Sequence, residues 1–313
     1  MTILVTGAAG FIAHTLIKQL LKDKQKVIGV DNFSLGKRSN IQSLSSEKNF
    51  KFVEGDINEV LQSDALKHER FSTIYHLAAN SNIDKSIKNP SIDYFNTLQT
   101  TYSVLEFMRK KHLKKIIFAS SSAIFGNAKF SKVTEGYGPL NPISHYGAAK
   151  MASEGFISSY CACYGISALV LRFPNVVGPF ATHGVIFDFV GRLKQNAKRL
   201  NVLGDGSQEK PYLHVEDLIR AINLINTDEL KGFEVFNIGN NTTSTVRRVS
   251  EIVCREMGIS PDINFEKKSW GWIGDVTKFN FDISKVLSTG WKPKLSSDEA
   301  IRHTARWLID YDH

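Results

Sequence analysis

The chain has little cysteine: Cys161, Cys163 and Cys254 are the only three in 313 residues. An odd number at that spacing builds no disulfide framework, metal site or redox pair, and it fits a reducing compartment. Long apolar runs are lacking as well. None approaches the roughly 18 residues that a membrane helix requires. The opening MTILVTGAAG carries neither a basic leader nor a small-residue cleavage site. The expectation is a cytoplasmic protein with no membrane partner. Lys and Arg outnumber Asp and Glu by 39 to 31, but the excess is scattered in short clusters such as 22–26, 110–115 and Arg247-Arg248. Without a one-sided basic stripe, this charge reads as solvated surface, and no nucleic-acid partner is expected. With 42% hydrophobic and 22% charged residues, disorder and low-complexity architectures are excluded.

What is present is an alternation of short apolar strands and helical patterns. Strands are expected at 3–5, 27–30, 50–53, 73–77, 115–119 and 168–173. Helices are expected at 11–21, 92–111 and 146–164, the first with Ile12, Leu16, Ile17 and Leu20 on one face. That rhythm predicts an α/β fold, a doubly wound parallel sheet covered on both faces. It breaks after Phe173. Helical patterns return at 215–225, 246–257 and 297–311, with a strand at 233–238 and an irregular stretch from Pro261 to the last helix. The expected division is a dinucleotide-binding domain of residues 1–173 plus 215–239, and a smaller C-terminal α/β lobe of residues 174–214 and 240–313. Trp291 and Trp307 read as core. Leu105, Met108, Phe95, Leu98 and Tyr102 read as a face laid mostly on the sheet.

Thr6-Gly7-Ala8-Ala9-Gly10-Phe11-Ile12-Ala13 lies between the first strand and the first helix. Gly7 and Gly10 let the backbone turn tightly and approach a pyrophosphate, and the helix start offers free N–H groups. Asp31 ends the next strand, at the distance suited to a ribose 2′-hydroxyl. A carboxylate there repels a 2′-phosphate, so NAD is expected rather than NADP.

Tyr146 and Lys150 stand four apart at the start of a helix, on one face. An ammonium beside a phenol favours the phenolate, which makes a general base. Ser120-Ser121-Ser122 ends a buried strand, where open α/β sheets bind ligands. A hydroxyl there can hydrogen-bond the reacting oxygen. His76 reads as a structural hydrogen-bonding residue.

With these motifs the chain resembles the extended short-chain dehydrogenase/reductase family, in particular NAD-dependent nucleotide-sugar epimerases of the UDP-glucose 4-epimerase type. The resemblance runs over the whole chain. It rests on TGAAGFIA, Asp31-Asn32, Gly55-Asp56-Ile57, His76-Leu77-Ala78-Ala79, Asn96, the stretch Ser120 to Gly126, Tyr146 to Lys150, Arg172 to Pro179, Gly204 to Gln208, His214-Val215, Phe236 to Gly239 and Gly274-Asp275. It implies a Rossmann domain holding NAD, a nucleotide-sugar substrate and a homodimer built on helices 92–111 and 146–164.

Position by position, the resemblance implies that Phe11 and Ile12 lie on the pyrophosphate. Asp31 and Asn32 hold the adenosine ribose, and Asp56 and Ile57 the adenine. Leu77, Ala78, Ala79 and Asn96 line the way to the nicotinamide, with Pro174 beside it. Ser121, Tyr146 and Lys150 are the catalytic set, and Ser122 touches the sugar. Asn175, Gly184 and Val185 approach the diphosphate, Leu203 the base, and Asp275 the nucleotide. Two family arginines are replaced, by Lys210 and by Trp272, so the chain's hold on the substrate phosphates differs. The implied reaction is epimerisation at C4 of UDP-glucose/UDP-galactose or the N-acetyl pair through a 4-keto sugar. A nucleotide-sugar 4,6-dehydratase is the nearest rival, but it requires an Asp-Glu where Ser122-Ala123 stand. A catalytically silent NAD(H)-sensing protein is the alternative of another class.

Overall fold

The computed structural model describes residues 2–128, 132–271 and 276–311. The chain forms two compact units. The first comprises residues 1–125, 142–172 and 226–236, and the second residues 126–141, 173–225 and 237–313.

The first unit is built on a seven-stranded sheet. Its strands are β1 (Thr2–Thr6), β2 (Lys26–Asp31), β3 (Phe50–Glu54), β4 (Phe71–His76), β5 (Lys115–Ala119), β6 (Ser167–Arg172) and β7 (Phe233–Asn237), in the order β7-β6-β5-β4-β1-β2-β3. The five pairings from β3 through β2, β1, β4 and β5 to β6 are parallel. β1 lies between β2 and β4, so the chain reverses its direction of travel across the sheet there. Ligands of open α/β sheets bind at such a switch point, beyond the carboxyl ends of the strands. Leu4, Val5, Ile28, Val30, Ile74, Ile116 and Phe118 bury both faces of these strands, which is why they read as continuous apolar runs. Helix α1 (Phe11–Lys22) buries Ala13, Leu16, Ile17 and Leu20. α2 (Thr100–Lys110) and α3 (His145–Tyr164) supply Val104, Leu105, Met108, Ile157 and Cys161 to the core of this unit.

The helix expected over 92–111 is not continuous. A short turn, Ser91–Asp93, passes into a six-residue π-helical stretch, Tyr94–Gln99, before α2 begins. The Thr100 hydroxyl donates to the Asn96 and Thr97 carbonyls, and Thr101 to the Thr97 carbonyl. The wider turn rotates the face. Thr97, Thr101, Leu105 and Met108 are buried, whereas Phe95 and Tyr102, expected on the sheet, are exposed.

In the second unit, helices α4 (Val185–Gln195), α5 (Val215–Ile225), α6 (Val246–Met257) and α7 (Ser297–Asp310) surround short strand pairs. Its core joins Phe189, Val190, Leu200, Val253, Ile301 and Leu308. Thr245 caps α6, and Ser296 with Glu299 forms a reciprocal cap on α7. The unit boundaries differ from those expected at residues 126–141, which group with the second unit, and at α5, which groups with that unit rather than with the sheet. Asp217 explains the placement of α5. Its Oδ2 accepts from the backbone N–H groups of Lys294 and Leu295, and its carbonyl accepts from the Trp291 indole at 3.0 Å. The stretch after Pro261, expected to be irregular, contains the strand Asp262–Phe265, parallel to Arg199–Val202. Trp291 is core, as expected. Trp307 is half-buried and stacks on Tyr311 with ring centroids 4.3 Å apart.

Candidate active site

The turn after β1 brings a glycine against the turn after β4. Gly7 has φ +71°, and a Cβ there would lie 2.8 Å from the Ala78 backbone nitrogen. Only glycine both adopts this conformation and leaves the backbones in contact. Thr6 ties the two strand ends further. Its hydroxyl accepts from the Ala78 N–H at 3.1 Å and meets His76 Nδ1 at 2.7 Å. On the other ring face of the network, His76 Nε2 lies 3.0 Å from the Thr101 hydroxyl, which itself donates to the Thr97 carbonyl. The Thr101 oxygen therefore accepts, His76 carries its proton on Nε2, and Nδ1 receives the Thr6 hydroxyl. Burial pulls the imidazole down to about 3, so it is neutral. This is the structural part expected of His76.

Gly10 begins α1 in extended conformation without a side-chain cap. The first N–H groups of the helix, at Phe11 and Ile12, thus lack i−4 carbonyls and are presented for an anion. Both oxygens of Asp31 are oriented by backbone. Oδ2 accepts from the Ala9 N–H at 3.0 Å and Oδ1 from the Phe33 N–H at 2.7 Å. Asn32 donates to Asp56, which caps the turn Ile57–Val60. Leu77, Ala78 and Ala79 are half-buried directly beyond β4, and Asn96 sits in the π-helical stretch. The glycine cradle, the open helix start and the fixed carboxylate fit a dinucleotide. Of Lys37 and Arg38, the two cations that follow in the chain, Arg38 is held by Glu54 in a two-pronged ion pair.

At the end of β5, Ser121 follows the strand and Ser122 opens a single 3₁₀ turn, Ser122–Phe125. Ser144 caps α3 by accepting from the Gly147 N–H. Gly147 lets α3 start directly against that turn, since a Cβ there would overlap the Ala123 carbonyl oxygen. The result is that the Ser121 hydroxyl lies near enough to the Tyr146 phenol to favour its ionised form. Lys150 is buried one helical turn on. Its Nζ donates to the Ala119 carbonyl at 2.6 Å and lies 5.9 Å from the Tyr146 ring centroid. The structure thus brings Ser121, Tyr146 and Lys150 together in the first unit.

The electrostatics depart from expectation. The phenol is pushed up to about 12, not down, because burial outweighs the effect of the Ser121 hydroxyl. Burial likewise pulls the Lys150 amine down to about 7, against the opposing charges of Glu154 and Asp93. Sequence reasoning missed these two carboxylates. Glu154 continues the four-residue spacing of Tyr146 and Lys150, which was the available signal. It forms a buried two-pronged pair with Arg172 at 3.0 and 2.7 Å and accepts the Ser120 hydroxyl. Asp93 has no spacing signal.

Of the residues expected at the substrate, Ser121, Ser122 and Tyr146 lie in the first unit, and Asn175, Gly184, Val185, Leu203 and Lys210 in the second. Asn175 begins the strand Asn175–Val177, which pairs with Tyr212–His214, and is exposed. Gly184, with φ +106°, precedes α4, and Val185 is its first residue. Leu203 is exposed, and Lys210 is half-buried in a short antiparallel pair opposite Ser244. Pro174 also belongs to this unit. Trp272 and Asp275 lie outside the described residues.

Residues 3–239 match the model of the NAD dependent epimerase/dehydratase family. The chain belongs to that family. Its cofactor is accordingly NAD, in agreement with the Asp31 reading. A putative UDP-glucose 4-epimerase of Methanocaldococcus jannaschii is 32% identical over 98% of both chains. A dTDP-D-glucose 4,6-dehydratase of Mus musculus is 26% identical over 97% of this chain and 88% of its own. Among solved structures, a UDP-glucuronic acid 4-epimerase of Bacillus cereus in complex with NAD superposes with a TM-score of 0.88. It is 29% identical and covers 98% of this chain and 99% of its own. Epimerases and dehydratases thus stand at similar distances from this sequence. No helix among the described residues is long and apolar enough to cross a membrane.

Proposed function

We propose that this chain is a nucleotide-sugar 4-epimerase, acting on UDP-glucose/UDP-galactose or the corresponding N-acetyl pair through a transient 4-keto sugar. The observation that carries the reading is the convergence of Ser121, Tyr146 and Lys150 at the end of β5, with Ser122 and Ala123 next in line. A 4,6-dehydratase must also remove water across C5 and C6, for which it needs an acid and a base following the catalytic hydroxyl. Serine and alanine provide neither.

When bound, NAD supplies the acceptor and donor of hydride at C4 and a positive ring charge. Gly7, Gly10, Phe11 and Ile12 would hold its pyrophosphate, Asp31 and Asn32 its ribose, and Asp56 and Ile57 its adenine. In the forward half-reaction, Tyr146 as phenolate takes the proton of the sugar 4-hydroxyl while the C4 hydride leaves. In the return half, the 4-keto sugar would present its opposite face, hydride would return to C4 there, and Tyr146 would give the proton back to the same oxygen. No net oxidation results. Ser121 hydrogen-bonds this oxygen, and Lys150 offsets the phenolate charge. Asn175, Lys210, Gly184, Val185, Leu203, Ser122, Trp272 and Asp275 remain the proposed substrate contacts.

The functional unit is proposed to be a homodimer in the cytoplasm. Tyr94 and Phe95 before α2, Tyr102 on α2, and Phe156 and Tyr164 on α3 are all exposed, and Tyr102 packs on Phe156 with centroids 5.8 Å apart. Exposed aromatic pairs of this kind are suited to a second copy of the chain.

The test is mass spectrometry of the nucleotide sugar retained by the purified protein, followed by NMR of UDP-glucose and UDP-N-acetylglucosamine incubated with it. Appearance of the C4 epimers is expected. Release of a 4-keto-6-deoxy sugar would identify a dehydratase. NAD retention with no turnover of any nucleotide sugar would favour the sensing protein.

A further inference from the structure

Three serines stand in a row beyond β5, and their hydroxyls are not equivalent. Ser120 is fully buried. Its N–H donates to the Leu171 carbonyl of β6 at 2.8 Å, and its hydroxyl donates to Glu154 Oε1. One residue earlier, the Ala119 carbonyl accepts from Lys150 Nζ at 2.6 Å. The end of β5 is therefore gripped twice by α3, through side chains one helical turn apart, and once by β6.

Ser121 follows. Its Oγ accepts from the Ala123 N–H at 3.2 Å. A hydroxyl that accepts a backbone N–H keeps its own hydrogen for another acceptor. Successive side chains along a strand alternate in direction. A Ser120 hydroxyl committed to Glu154 thus leaves Ser121 facing away from that carboxylate. Ser122 then opens the 3₁₀ turn that closes at Phe125.

One ion pair brackets this segment. Glu154 and Arg172 form a buried two-pronged pair at 3.0 and 2.7 Å, and the guanidinium lies 5.2 Å from the Phe125 ring centroid. The start of the segment is tied to the carboxylate and its end lies against the guanidinium. Both Glu154 oxygens already accept from Arg172. The Ser120 hydroxyl is therefore not needed to neutralise a buried charge.

We propose that Ser120 is a positioning residue: tied to the Glu154–Arg172 pair, it fixes the turn after β5 so that, of the three serines, Ser121 presents its hydrogen to the reacting oxygen. The proposal rests on the reading of Ser121 as the catalytic hydroxyl of an epimerase. Ser120 is sealed from solvent and acts only through its neighbour.

Ser120→Ala removes the tie and leaves Glu154 paired with Arg172. In the NAD-loaded protein it should lower kcat for the nucleotide sugar about tenfold and leave KM nearly unchanged, because orientation is lost and binding is not. A double-mutant cycle identifies the route. In a Ser121→Ala background, Ser120→Ala should cause no further loss, since the hydroxyl it orients is gone. Amide hydrogen exchange reads the same tie without substrate. The Ala123 N–H should exchange about tenfold faster in Ser120→Ala, while the amides of α3 keep their parent rates. Ser120→Cys, whose thiol is a weak donor, carries the same expectations should the alanine variant fail to fold. A parent kcat in the single variant, losses that add in the double variant, or an Ala123 amide at its parent exchange rate would each reduce Ser120 to a packing residue and overturn the proposal. A protein that turns over no nucleotide sugar but shows the faster Ala123 exchange would sink the epimerase reading and leave the positioning of Ser121 standing.

Discussion

The two units hold their assigned residues in different ways. In the sheet unit, Lys150, Glu154, Arg172, His76 and Asp93 are buried, and each is fixed by hydrogen bonds to named partners. In the second unit, Asn175, Gly184 and Leu203 are exposed at a strand start, before a helix and on a loop, and Lys210 is half-buried. The difference suits the roles proposed for the two sets. Moving a proton and a hydride needs groups held within a fraction of an ångström, which only a packed shell provides. Choosing a sugar nucleotide needs side chains that can be exchanged without disturbing a core. Loops and strand ends allow that.

The comparison breaks first at the base. Tyr146→Phe removes one oxygen from the rigid unit and should lower turnover by about 10²–10⁴-fold while NAD is still retained. Single-turnover kinetics with the retained cofactor as reporter would check this. A variant with near-parent turnover would move the base elsewhere.

The second effect is on stability. Glu154→Gln leaves the Arg172 guanidinium buried opposite a neutral amide. Breaking one partner of a buried pair typically costs about 3–5 kcal/mol. Denaturant unfolding should show a midpoint far below the parent. A change no larger than that of a surface substitution would mean that the pair contributes nothing in place.

These two predictions also mark what the sequence made legible. The alternation of apolar strands and helical faces reports burial directly, so all seven sheet strands fell within two residues of their observed limits. Gly7, Asp31, Tyr146 and Lys150 were readable because their chemistry is bound to a local spacing: a turn before a helix, a strand end, one turn of α3. Partners brought together by the fold have no such period. Arg172 meets Glu154 across 18 positions, from β6 to α3, and Asp93 meets Asn80 just before the π-helical stretch. That extra backbone width defeats a 3.6-residue pattern. The same stretch turned Phe95 and Tyr102 outward. The assignment of α5 failed because one carboxylate, Asp217, binds two backbone N–H groups more than 70 positions away.

A third effect is expected with pH, and it probes the rigid unit alone. His76 is held near 3 in the folded chain, against 6.5 for an ordinary histidine. Below pH 6.5 the unfolded chain takes a proton that the folded chain refuses. His76 therefore contributes no penalty above that value, and stability falls as the pH drops from 6.5 toward 3. The loss between pH 7 and pH 5 is about 2 kcal/mol from this one residue. Unfolding midpoints of the parent at the two pH values should differ accordingly. His76→Gln, which cannot titrate, should flatten the dependence while lowering stability at pH 7. An unflattened profile would assign the acid sensitivity to other groups.

The smallest effect belongs to the second unit. Lys210 stands where the resembling epimerases place an arginine of the substrate-phosphate site, followed here by Pro211. Its strand is only two residues long, Glu209–Lys210, paired with Ser244–Thr245. An ammonium acts as a point charge and lacks the two-pronged fork of a guanidinium. The diphosphate carries the same charge in the bound substrate and at the point of hydride transfer, so the contact is uniform along the reaction. Lys210→Ala should therefore raise KM for the nucleotide sugar about tenfold and leave kcat nearly unchanged. Lys210→Arg should be tolerated, with KM equal to or below that of the parent, since a fork can add a second hydrogen bond without moving the strand pair. A fall in kcat with KM unchanged would place Lys210 at the reacting sugar instead. An unchanged KM in the alanine variant would show that the diphosphate is held by other residues, and it would erase the proposed contrast between a rigid unit for the reaction and an adaptable one for substrate choice.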